Sequence, residues 1–220
     1  MDKCKFKNVW DKFYSEEGGY LESPDNILIE LIHREKIHKA IDVGAGNGRH
    51  AIYLASNEIK VKAIDVSSNG LSKIKSWTSN NNLPVETVVI SAIDYSFEEG
   101  IYDLAISTGS ALNFFKKGDS IKVIRGLQNS VKVGGFIYLT LSTIYDSAFL
   151  KHFRKASKVD GNTFYSKDMG VWMTAYKDNE LRELFDKFEV LEYKEEDILD
   201  NGHGEPHYHH TAVILARRVI

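Results

Sequence analysis

Glycine occurs at alternate positions in one short segment of this chain, at Gly44, Gly46 and Gly48. Because glycine has no side chain, a ligand can lie directly against the backbone at such a turn. The segment follows an apolar run and precedes a stretch with helical spacing, so a helix beginning there presents unpaired N–H groups to polar ligand atoms. A glycine turn between the first strand and the first helix of a βαβ unit is the usual place of a nucleotide-type site.

The spacing of these glycines separates two kinds of ligand. The dinucleotide fingerprint G-x-G-x-x-G needs a glycine at position 49, where this chain has Arg49. An arginine there disfavours the close packing of helix on strand that surrounds a pyrophosphate. A nicotinamide-dependent oxidoreductase is therefore the least favoured class of enzyme for this sequence.

Acidic residues stand near the ends of predicted strands, at Asp42, Asp65 and Asp94. A carboxylate offers two acceptor oxygens, which suits the two vicinal hydroxyls of a ribose. Taken singly, each of these residues is also typical of a helix cap or a solvated turn. As a set at successive strand ends, they indicate a ligand site along one edge of a sheet.

Four of the eight histidines lie in the segment NGHGEPHYHH near the end of the chain. His207 and His209 are two residues apart, so in an extended chain they share one face and His210 lies on the other. Three interpretations stay open. One is a metal site that also uses His203 and Glu205, since imidazole binds zinc, iron, nickel and copper. The others are substrate recognition or general-base catalysis by a histidine, and a hydrogen-bonded turn. We select His207 and His209 as catalytic candidates and assign no metal.

Strand-like and helix-like segments alternate along the chain. Runs rich in apolar and β-branched residues predict strands at 40–43, 60–65, 85–90, 102–107 and 136–142. Helical spacing predicts helices at 49–57, 67–79 and 120–132, the last of them ending in a glycine cap at 134–135. This alternation predicts βαβ units and a mostly parallel sheet. After a further helix at 178–188, strands at 189–193 and 211–217 are joined by a loop alone, which predicts an antiparallel pair.

The segment AIDVGAGNGRHAIYLA resembles the first motif of the class I S-adenosylmethionine-dependent methyltransferases in its G-x-G-x-G spacing and in Asp42 two residues upstream. The similarity continues through VKAID, SAIDYSF and VKVGGFIYL and extends over residues 37–141. It implies S-adenosylmethionine as cofactor. With the element order, it implies an α/β fold, a Rossmann-like three-layer sandwich. Its seven-stranded sheet has the order 3-2-1-4-5-7-6, and strand 7 is antiparallel.

The resemblance also implies a role for individual residues. Asp42 contacts the amino group of the methionine part, and Asp65 accepts hydrogen bonds from both ribose hydroxyls. Val66 packs on the adenine, and Asp94 meets the adenine amino group. The full set assigned to the cofactor is Asp42, Gly44, Ala45, Gly46, Gly48, Asp65, Val66, Ala92, Ile93, Asp94, Ser107 and Thr108.

Two aromatic segments flank the cofactor region. The segment VWDKFYSEEGGYLESP resembles the leading helix of the tellurite-resistance and thiopurine methyltransferase branch, where such a helix covers the cofactor. An amphipathic helix packed on the sheet explains its spacing equally well. The long connection after the fifth strand is interpreted either as a substrate cover or as a helical subdomain filled by aromatic residues. The candidate substrate contacts in the two segments are Trp10, Tyr14, Tyr20, His152 and Trp172.

We expect a single domain whose parts follow one another along the chain. They are a helical lid at 1–36, a cofactor-binding core at 37–143, an insertion at 144–176 and a terminal helix with a strand pair at 177–220. The length of 220 residues, with 43% hydrophobic and 27% charged residues, suits one globular domain.

Composition also bounds the partners and the compartment. A net charge of −3 makes nucleic acid an unlikely obligate partner. Cys4 is the only cysteine, which fits a reducing cytoplasm. No apolar run approaches the roughly 18 residues that a membrane span needs. A cytoplasmic protein without a membrane association is expected, and its oligomeric state is left open.

The predicted reaction is in-line transfer of the sulfonium methyl group to a small-molecule acceptor. The segment STGSALNFF lacks the Asn/Asp-Pro-Pro-aromatic sequence that is common in enzymes methylating exocyclic amino groups of bases. The position of Cys4 disfavours a cysteine nucleophile acting on pyrimidine carbon. The alternatives are an RNA or protein methyltransferase, and a non-catalytic subunit that binds S-adenosylmethionine.

Overall fold

The computed structural model describes residues 3–16, 23–156, 159–200 and 206–220. The helices in these residues are α1 (Lys3–Glu16), α2 (Asn26–Arg34), α3 (Arg49–Ser56), α4 (Ser68–Asn80), α5 (Lys117–Ser130), α6 (Ser147–Phe153) and α7 (Glu180–Glu183). The strands are β1 (Lys39–Val43), β2 (Lys60–Asp65), β3 (Val85–Val89), β4 (Tyr102–Ser107), β5 (Val131–Ser142), β6 (Val159–Asp160), β7 (Thr163–Ser166), β8 (Val171–Thr174), β9 (Phe188–Asp200) and β10 (His207–Arg218). A short 3-10 helix, Ala111–Phe114, follows β4.

Seven strands form the central sheet, in the order β3-β2-β1-β4-β5-β10-β9. Numbered among themselves along the chain, they have the order 3-2-1-4-5-7-6, which confirms the predicted fold. The first five are parallel to one another, and β10 lies antiparallel between β5 and β9. The direction of winding reverses between β1 and β4, and α/β sheets bind their ligands beyond the carboxyl ends of the strands at such a point.

Helices cover both faces of the sheet because the strands are apolar on both sides. In β1, Ala40 and Ile41 point to opposite faces, and both are fully buried. One face packs against α2, α3 and α4 through residues such as Leu54 and Ile74. The other packs against α5 and the segment that follows β5 through residues such as Ile124. Burial on both faces fixes the strand ends that carry the candidate site.

The junction of α5 and β5 differs from the prediction. The helix predicted at 120–132 is present, but it ends at Ser130 and β5 begins at once with Val131, so its predicted end and its glycine cap are wrong. The paired residues step from Tyr102 to Leu104 in β4 but from Val131 to Phe136 in β5, so β5 carries extra residues there. The glycines at 134–135 belong to this irregularity, and Gly134 has a φ of +83°.

The helix predicted at 178–188 is present but shorter than predicted, because α7 is a single turn. It is followed by tighter turns in which the N–H of Leu184 donates to Leu181 and that of Phe185 donates to Arg182. Leu181 and Phe185 are buried by this arrangement, so the apolar spacing that indicated a longer helix is satisfied by a turn.

The segment between β5 and α7 contains α6 and a three-stranded antiparallel sheet in the order β6-β7-β8. It is therefore not the helical subdomain considered from the sequence. Phe149, Phe153 and Phe164 pack on one another, with the rings of Phe149 and Phe164 4.7 Å apart. Across the described ranges, no helix has the length and apolar character that crossing a membrane requires.

Candidate active site

The glycine turn after β1 has the backbone that its sequence demands. Gly44, Gly46 and Gly48 have φ angles of +76°, +55° and +98°, a region that other residues rarely adopt. A Cβ atom on Gly46 would lie 2.2 Å from the hydroxyl oxygen of Tyr14. A Cβ atom on Gly48 would lie 2.6 Å from a side-chain carbon of Ile74. The absence of a side chain at Gly46 therefore lets Tyr14 of α1 lie close over the turn. The absence of a side chain at Gly48 lets α3 pack against α4.

Two carboxylates are buried beside this turn. Asp65 accepts hydrogen bonds from the backbone N–H of Gly46 at 2.9 Å and of Ser67 at 2.7 Å, so it links the glycine turn to the start of α4. Burial raises the pKa of Asp65. Asp42 is 2% exposed, and burial together with the charge of Asp65 raises its pKa to about 7. A cationic group of a ligand would relieve this arrangement, because an opposite charge favours the ionised form.

Helix α1 is fastened over this region by Asp11. The side chain of Asp11 accepts hydrogen bonds from the Ser67 hydroxyl at 2.8 Å and the Asn69 backbone N–H at 3.1 Å, and it pairs with Lys7. Burial opposes ionisation, but the hydrogen bonds from Lys7, Asn69 and Ser67 hold the pKa of Asp11 at about 2. The N-terminus of α4 is a favourable place for this anion.

An aromatic wall stands between α1 and the 3-10 helix after β4. The ring centroids of Trp10 and Phe114 are 4.7 Å apart, and those of Phe6 and Phe115 are 5.4 Å apart. Tyr14 lies against the glycine turn, and burial, followed by the charges of the nearby carboxylates, raises the pKa of its hydroxyl, which stays a neutral donor. These rings and the turn enclose a cleft with about 860 Å³ of empty space, part of which is open to solvent.

A polar cluster that the sequence reasoning missed lies at the start of α3. His50 is 3% exposed, and its two ring nitrogens lie 3.0 Å from the Thr108 hydroxyl and 3.3 Å from Asp25. Asp25 also pairs with Arg49 at 3.1 Å and accepts a hydrogen bond from Tyr138 at 2.8 Å. Burial opposes ionisation of Asp25, but the contacts with His50, Arg49 and Tyr138 hold its pKa at about 2. The sequence shows Arg49 and His50 directly after the last glycine of the turn, which indicates that they lie near the site. Nothing in the sequence indicates that they contact Asp25.

A second missed residue, Ser91, lies beyond the end of β3. Its buried hydroxyl has no hydrogen-bond partner among the described residues, and the residue lines the cleft next to Ala92 and Val66. A buried hydroxyl without a partner is costly, so a ligand atom is expected there. Asp94, which the resemblance assigned to the adenine, is exposed, and its backbone N–H closes a turn onto Ser91 at 2.9 Å.

The cleft brings together most of the predicted cofactor residues. Those that line it are Asp42, Gly44, Ala45, Gly46, Asp65, Val66, Ala92 and Thr108. Those that do not are Gly48, Ile93, Asp94 and Ser107. Ser107 instead donates a hydrogen bond to the carbonyl of Val43 at 2.7 Å, which holds the ends of β4 and β1 together.

The predicted substrate residues divide between two places. Trp10 and Tyr14 line the cleft, and Tyr20 lies outside the described residues. His152 and Trp172 lie in the segment after β5 and do not line the cleft. His152 contacts the Ser166 hydroxyl at 3.3 Å, and the Trp172 ring lies 4.6 Å from the ammonium group of a lysine.

His207 and His209 share one face of β10, as predicted, and their Nε2 atoms are 3.0 Å apart. His209 contacts Asp146 through Nδ1 at 2.7 Å and Asp200 through Nε2 at 3.5 Å. The hydrogen bond to Asp146 raises the pKa of His209. Neither histidine lines the cleft, so the prediction that they face it is wrong. The cleft lies at the ends of β1, β2 and β4, and β5 separates β10 from it. We call Asp146, Asp200, His207 and His209 the histidine cluster.

The chain matches a known family over the part of the sequence that forms the cleft. A family model described as a methyltransferase domain matches residues 40–135, a range that includes the glycine turn, Asp42 and Asp65. This match and the fold support the predicted class I S-adenosylmethionine-dependent methyltransferase domain.

Over most of its length, the chain is similar to methyltransferases named TehB. It is 24% identical over 189 residues to a probable S-adenosyl-L-methionine-dependent methyltransferase TehB of Haemophilus influenzae. The match covers 83% of this chain and 59% of that protein, so the chain spans about three fifths of its relative's length. The crystal structure of TehB from Haemophilus influenzae has a TM-score of 0.71 at 19% identity, covering 95% of this chain and 67% of that one.

Two further similarities are to a small-molecule methyltransferase and to a dehydrogenase. A Burkholderia thailandensis 1,6-didemethyltoxoflavin-N1-methyltransferase with bound 1,6-didemethyltoxoflavin and S-adenosylhomocysteine has a TM-score of 0.69 at 14% identity, covering 99% of this chain and 87% of that one. A shikimate dehydrogenase (NADP(+)) of Bacillus cereus is 29% identical over 96 residues, which is 43% of this chain and 34% of that protein. The dehydrogenase match is the shorter one, and Arg49, at the position of the third dinucleotide glycine, lines the cleft.

Proposed function

We propose that this chain transfers a methyl group from S-adenosylmethionine to a small-molecule acceptor. The observation that carries the proposal is the combination, in one cleft at the strand ends, of a close-approach glycine turn with two buried carboxylates. Because the chain spans only part of the TehB relative, the activity of that whole protein is not transferred without test.

The residues of the cleft fit this cofactor. The bare backbone at Gly46 lets Tyr14 of α1 lie close over the turn and cover the cleft, and the unpartnered Ser91 hydroxyl offers a hydrogen bond near the adenine position. Asp65 accepts hydrogen bonds from the backbone of Gly46, Ser67 and Val66, and a carboxylate with about four lone pairs keeps acceptor capacity for the ribose hydroxyls. Asp42, with its pKa raised to about 7, gains a partner in the methionine ammonium group.

When bound, S-adenosylmethionine supplies a methyl group that its positive sulfonium already activates. The protein therefore has to align the acceptor with that methyl group and exclude water. The rings of Phe6, Trp10, Phe114 and Phe115 form an apolar wall that does both. A wall of this kind suits a compact, partly apolar acceptor better than an RNA or a protein substrate.

An acceptor that carries a proton, such as an amine or a hydroxyl, also needs a base. His50 is the candidate, because it lines the cleft between the Thr108 hydroxyl at Nδ1 and Asp25 at Nε2. The catalytic role of His207 and His209 stays a prediction. A soft acceptor such as a thiolate needs no base at all.

The test is a turnover assay with methyl-labelled S-adenosylmethionine and three acceptor pools: small amines, phenols and thiols; tRNA; and a peptide mixture. We expect label in the small-molecule pool alone. Label in tRNA or peptide alone would overturn the acceptor class. Micromolar cofactor binding without turnover in any pool would favour a non-catalytic subunit.

The base assignment is tested on the same assay with His50→Gln and with the double variant His207→Ala, His209→Ala. Loss of turnover with unchanged affinity for S-adenosylhomocysteine identifies the base. If only the double variant loses turnover, the role assigned to His50 is wrong.

A further inference from the structure

The histidine cluster lies on one face of the β9–β10 hairpin. Asp200 and His207 are directly paired across the two strands, and His209 is two residues further along β10. Residues opposite each other in an antiparallel pair lie on the same face, as do residues two apart. Three groups that bind metals are therefore gathered by backbone register alone.

The ligand atoms of these three residues are close enough to share one ion. One nitrogen of each histidine and one oxygen of Asp200 all lie within 4.8 Å of one another. The two Nε2 atoms are 3.0 Å apart, and the Nε2 of His209 is 3.5 Å from Asp200. Ligands on a tetrahedral zinc ion, at about 2.0–2.1 Å from the metal, are about 3.3 Å from one another.

Asp146 fixes the orientation and the tautomer of His209. It is 1% exposed, and one of its oxygens accepts the backbone N–H of Phe149 at the start of α6. The other oxygen lies 2.7 Å from Nδ1 of His209, which favours a proton on Nδ1, so a neutral ring would present its lone pair at Nε2. This is the carboxylate–histidine arrangement that supports metal-binding imidazoles.

The Nε2 atom of His209 faces His207 and a carboxylate oxygen of Asp200. A lone pair directed at an anionic oxygen is unfavourable unless a cation lies between them. That cation is either a second proton on His209 or a metal ion. The second nitrogen ligand, from His207, favours the metal.

We propose that Asp200, His207 and His209 bind one divalent transition-metal ion of the zinc type, with Asp146 as the positioning residue of His209. Two imidazoles and one carboxylate suit this class of ion and leave a coordination position for water or another ligand. The ion would hold β9 and β10 together at the end of the hairpin, and the contact of Asp146 with His209 connects this site to the start of α6. His203 and Glu205 lie outside the described residues and are not needed for the three-ligand set.

The experiment uses the full chain without a histidine tag, freed of metal by a chelator that is then removed. Zinc is titrated in competition with a chromogenic zinc chelator. We expect one equivalent of tightly bound zinc, a loss of at least about 100-fold in affinity in His207→Ala, and a loss of about 10- to 100-fold in Asp146→Asn. Asp146→Asn keeps an oxygen for the Phe149 N–H, so α6 retains its cap. His33→Ala, an exposed histidine on α2, is the matched control and should bind zinc as the parent chain does.

A thermal unfolding scan with and without zinc separates a loss of zinc binding from a loss of stability in a variant. Zinc should raise the midpoint of the parent chain and of His33→Ala, and not that of His207→Ala. Absence of stoichiometric zinc binding by the parent chain would overturn the site. Equal binding by His207→Ala would do so as well, because it would assign the metal to other groups.

Discussion

The cleft and the histidine cluster lie at the same edge of the central sheet, yet they are built differently. The cleft depends on backbone conformation within one βαβ unit, where three glycines follow β1 and Asp65 ends β2. The histidine cluster depends on side chains from three elements, with Asp146 before α6, Asp200 in β9 and the two histidines in β10. A local turn such as the glycine turn can be predicted from the sequence, and it tolerates few substitutions. An assembly of distant side chains is harder to foresee, and it can be removed without disturbing the cleft.

The largest effect is expected from Gly46→Ala. The new Cβ would adopt a strained φ of +55° and lie 2.2 Å from the Tyr14 hydroxyl, so it displaces the helix that covers the cleft. Calorimetry should detect no binding of S-adenosylhomocysteine. Gly100→Ala is the matched control, because Gly100 has a φ of +62° but nothing within 4 Å of the added atom. It should cost about 1 kcal/mol of stability and leave binding unchanged. Normal binding by Gly46→Ala would refute the close approach.

The next effect is expected from Asp65→Ala, which removes the proposed ribose acceptor. We expect cofactor affinity to fall about 10- to 100-fold, the usual consequence of losing charged hydrogen bonds. Asp94→Ala serves as the comparison, since Asp94 is exposed and outside the cleft. A larger loss in Asp94→Ala than in Asp65→Ala would restore the adenine role that the family resemblance implied.

A pH-dependent effect is expected at Asp42. Its pKa is about 7 in the folded chain, compared with 3.8 ordinarily, so the folded chain holds a proton that the unfolded chain has lost between these values. The free energy of unfolding should therefore fall as pH rises from 4 to 7. Asp42→Asn removes this decline and should stabilise the ligand-free chain at pH 8 by about 1–3 kcal/mol.

The same substitution should weaken cofactor binding about 10-fold, because the ammonium group loses its anion. Denaturant unfolding at pH 5 and pH 8 measures the first effect, and calorimetry measures the second. An unchanged pH slope in Asp42→Asn would mean that Asp42 is ionised in the folded chain.

A smaller effect is expected from Asp11→Ala, which unfastens α1 without touching the cleft. The hydrogen bonds to Ser67 and Asn69 are lost, so the covering helix is held less firmly. Affinity for S-adenosylhomocysteine should fall about 3- to 10-fold. Lys12→Ala, on the exposed side of the same helix, should have no effect. Equal affinities in both variants would remove the covering role of α1.

The smallest effect on the cofactor is expected from the histidine cluster itself. His207→Ala should leave the affinity for S-adenosylhomocysteine within about two-fold of the parent chain, since the residue does not line the cleft. Calorimetry measures this directly. A large loss of affinity would show that the histidine cluster and the cleft form one site.

Much of the fold was predictable, because alternating apolar runs and helical spacing dictate a wound sheet. The glycine turn, Asp42 and Asp65 were predictable for the same local reason. The start of β5 was not, because the glycines at 134–135 suit both a helix cap and the irregular pairing that they serve. Residues such as His50 and Asp25 come together only after folding, since 25 residues of chain separate them. Asp146 likewise meets His209 across 63 residues, and no periodicity in the sequence records that contact.

The central claim is that the cleft over the glycine turn holds S-adenosylmethionine, and a crystal structure with S-adenosylhomocysteine bound tests it most directly. We expect the ribose hydroxyls on Asp65, the amino group beside Asp42 and the adenine against Val66 and Ser91. The sulfur should face the aromatic wall of Phe6, Trp10, Phe114 and Phe115. Product bound elsewhere, or in the cleft with its ribose away from Asp65, would contradict this account.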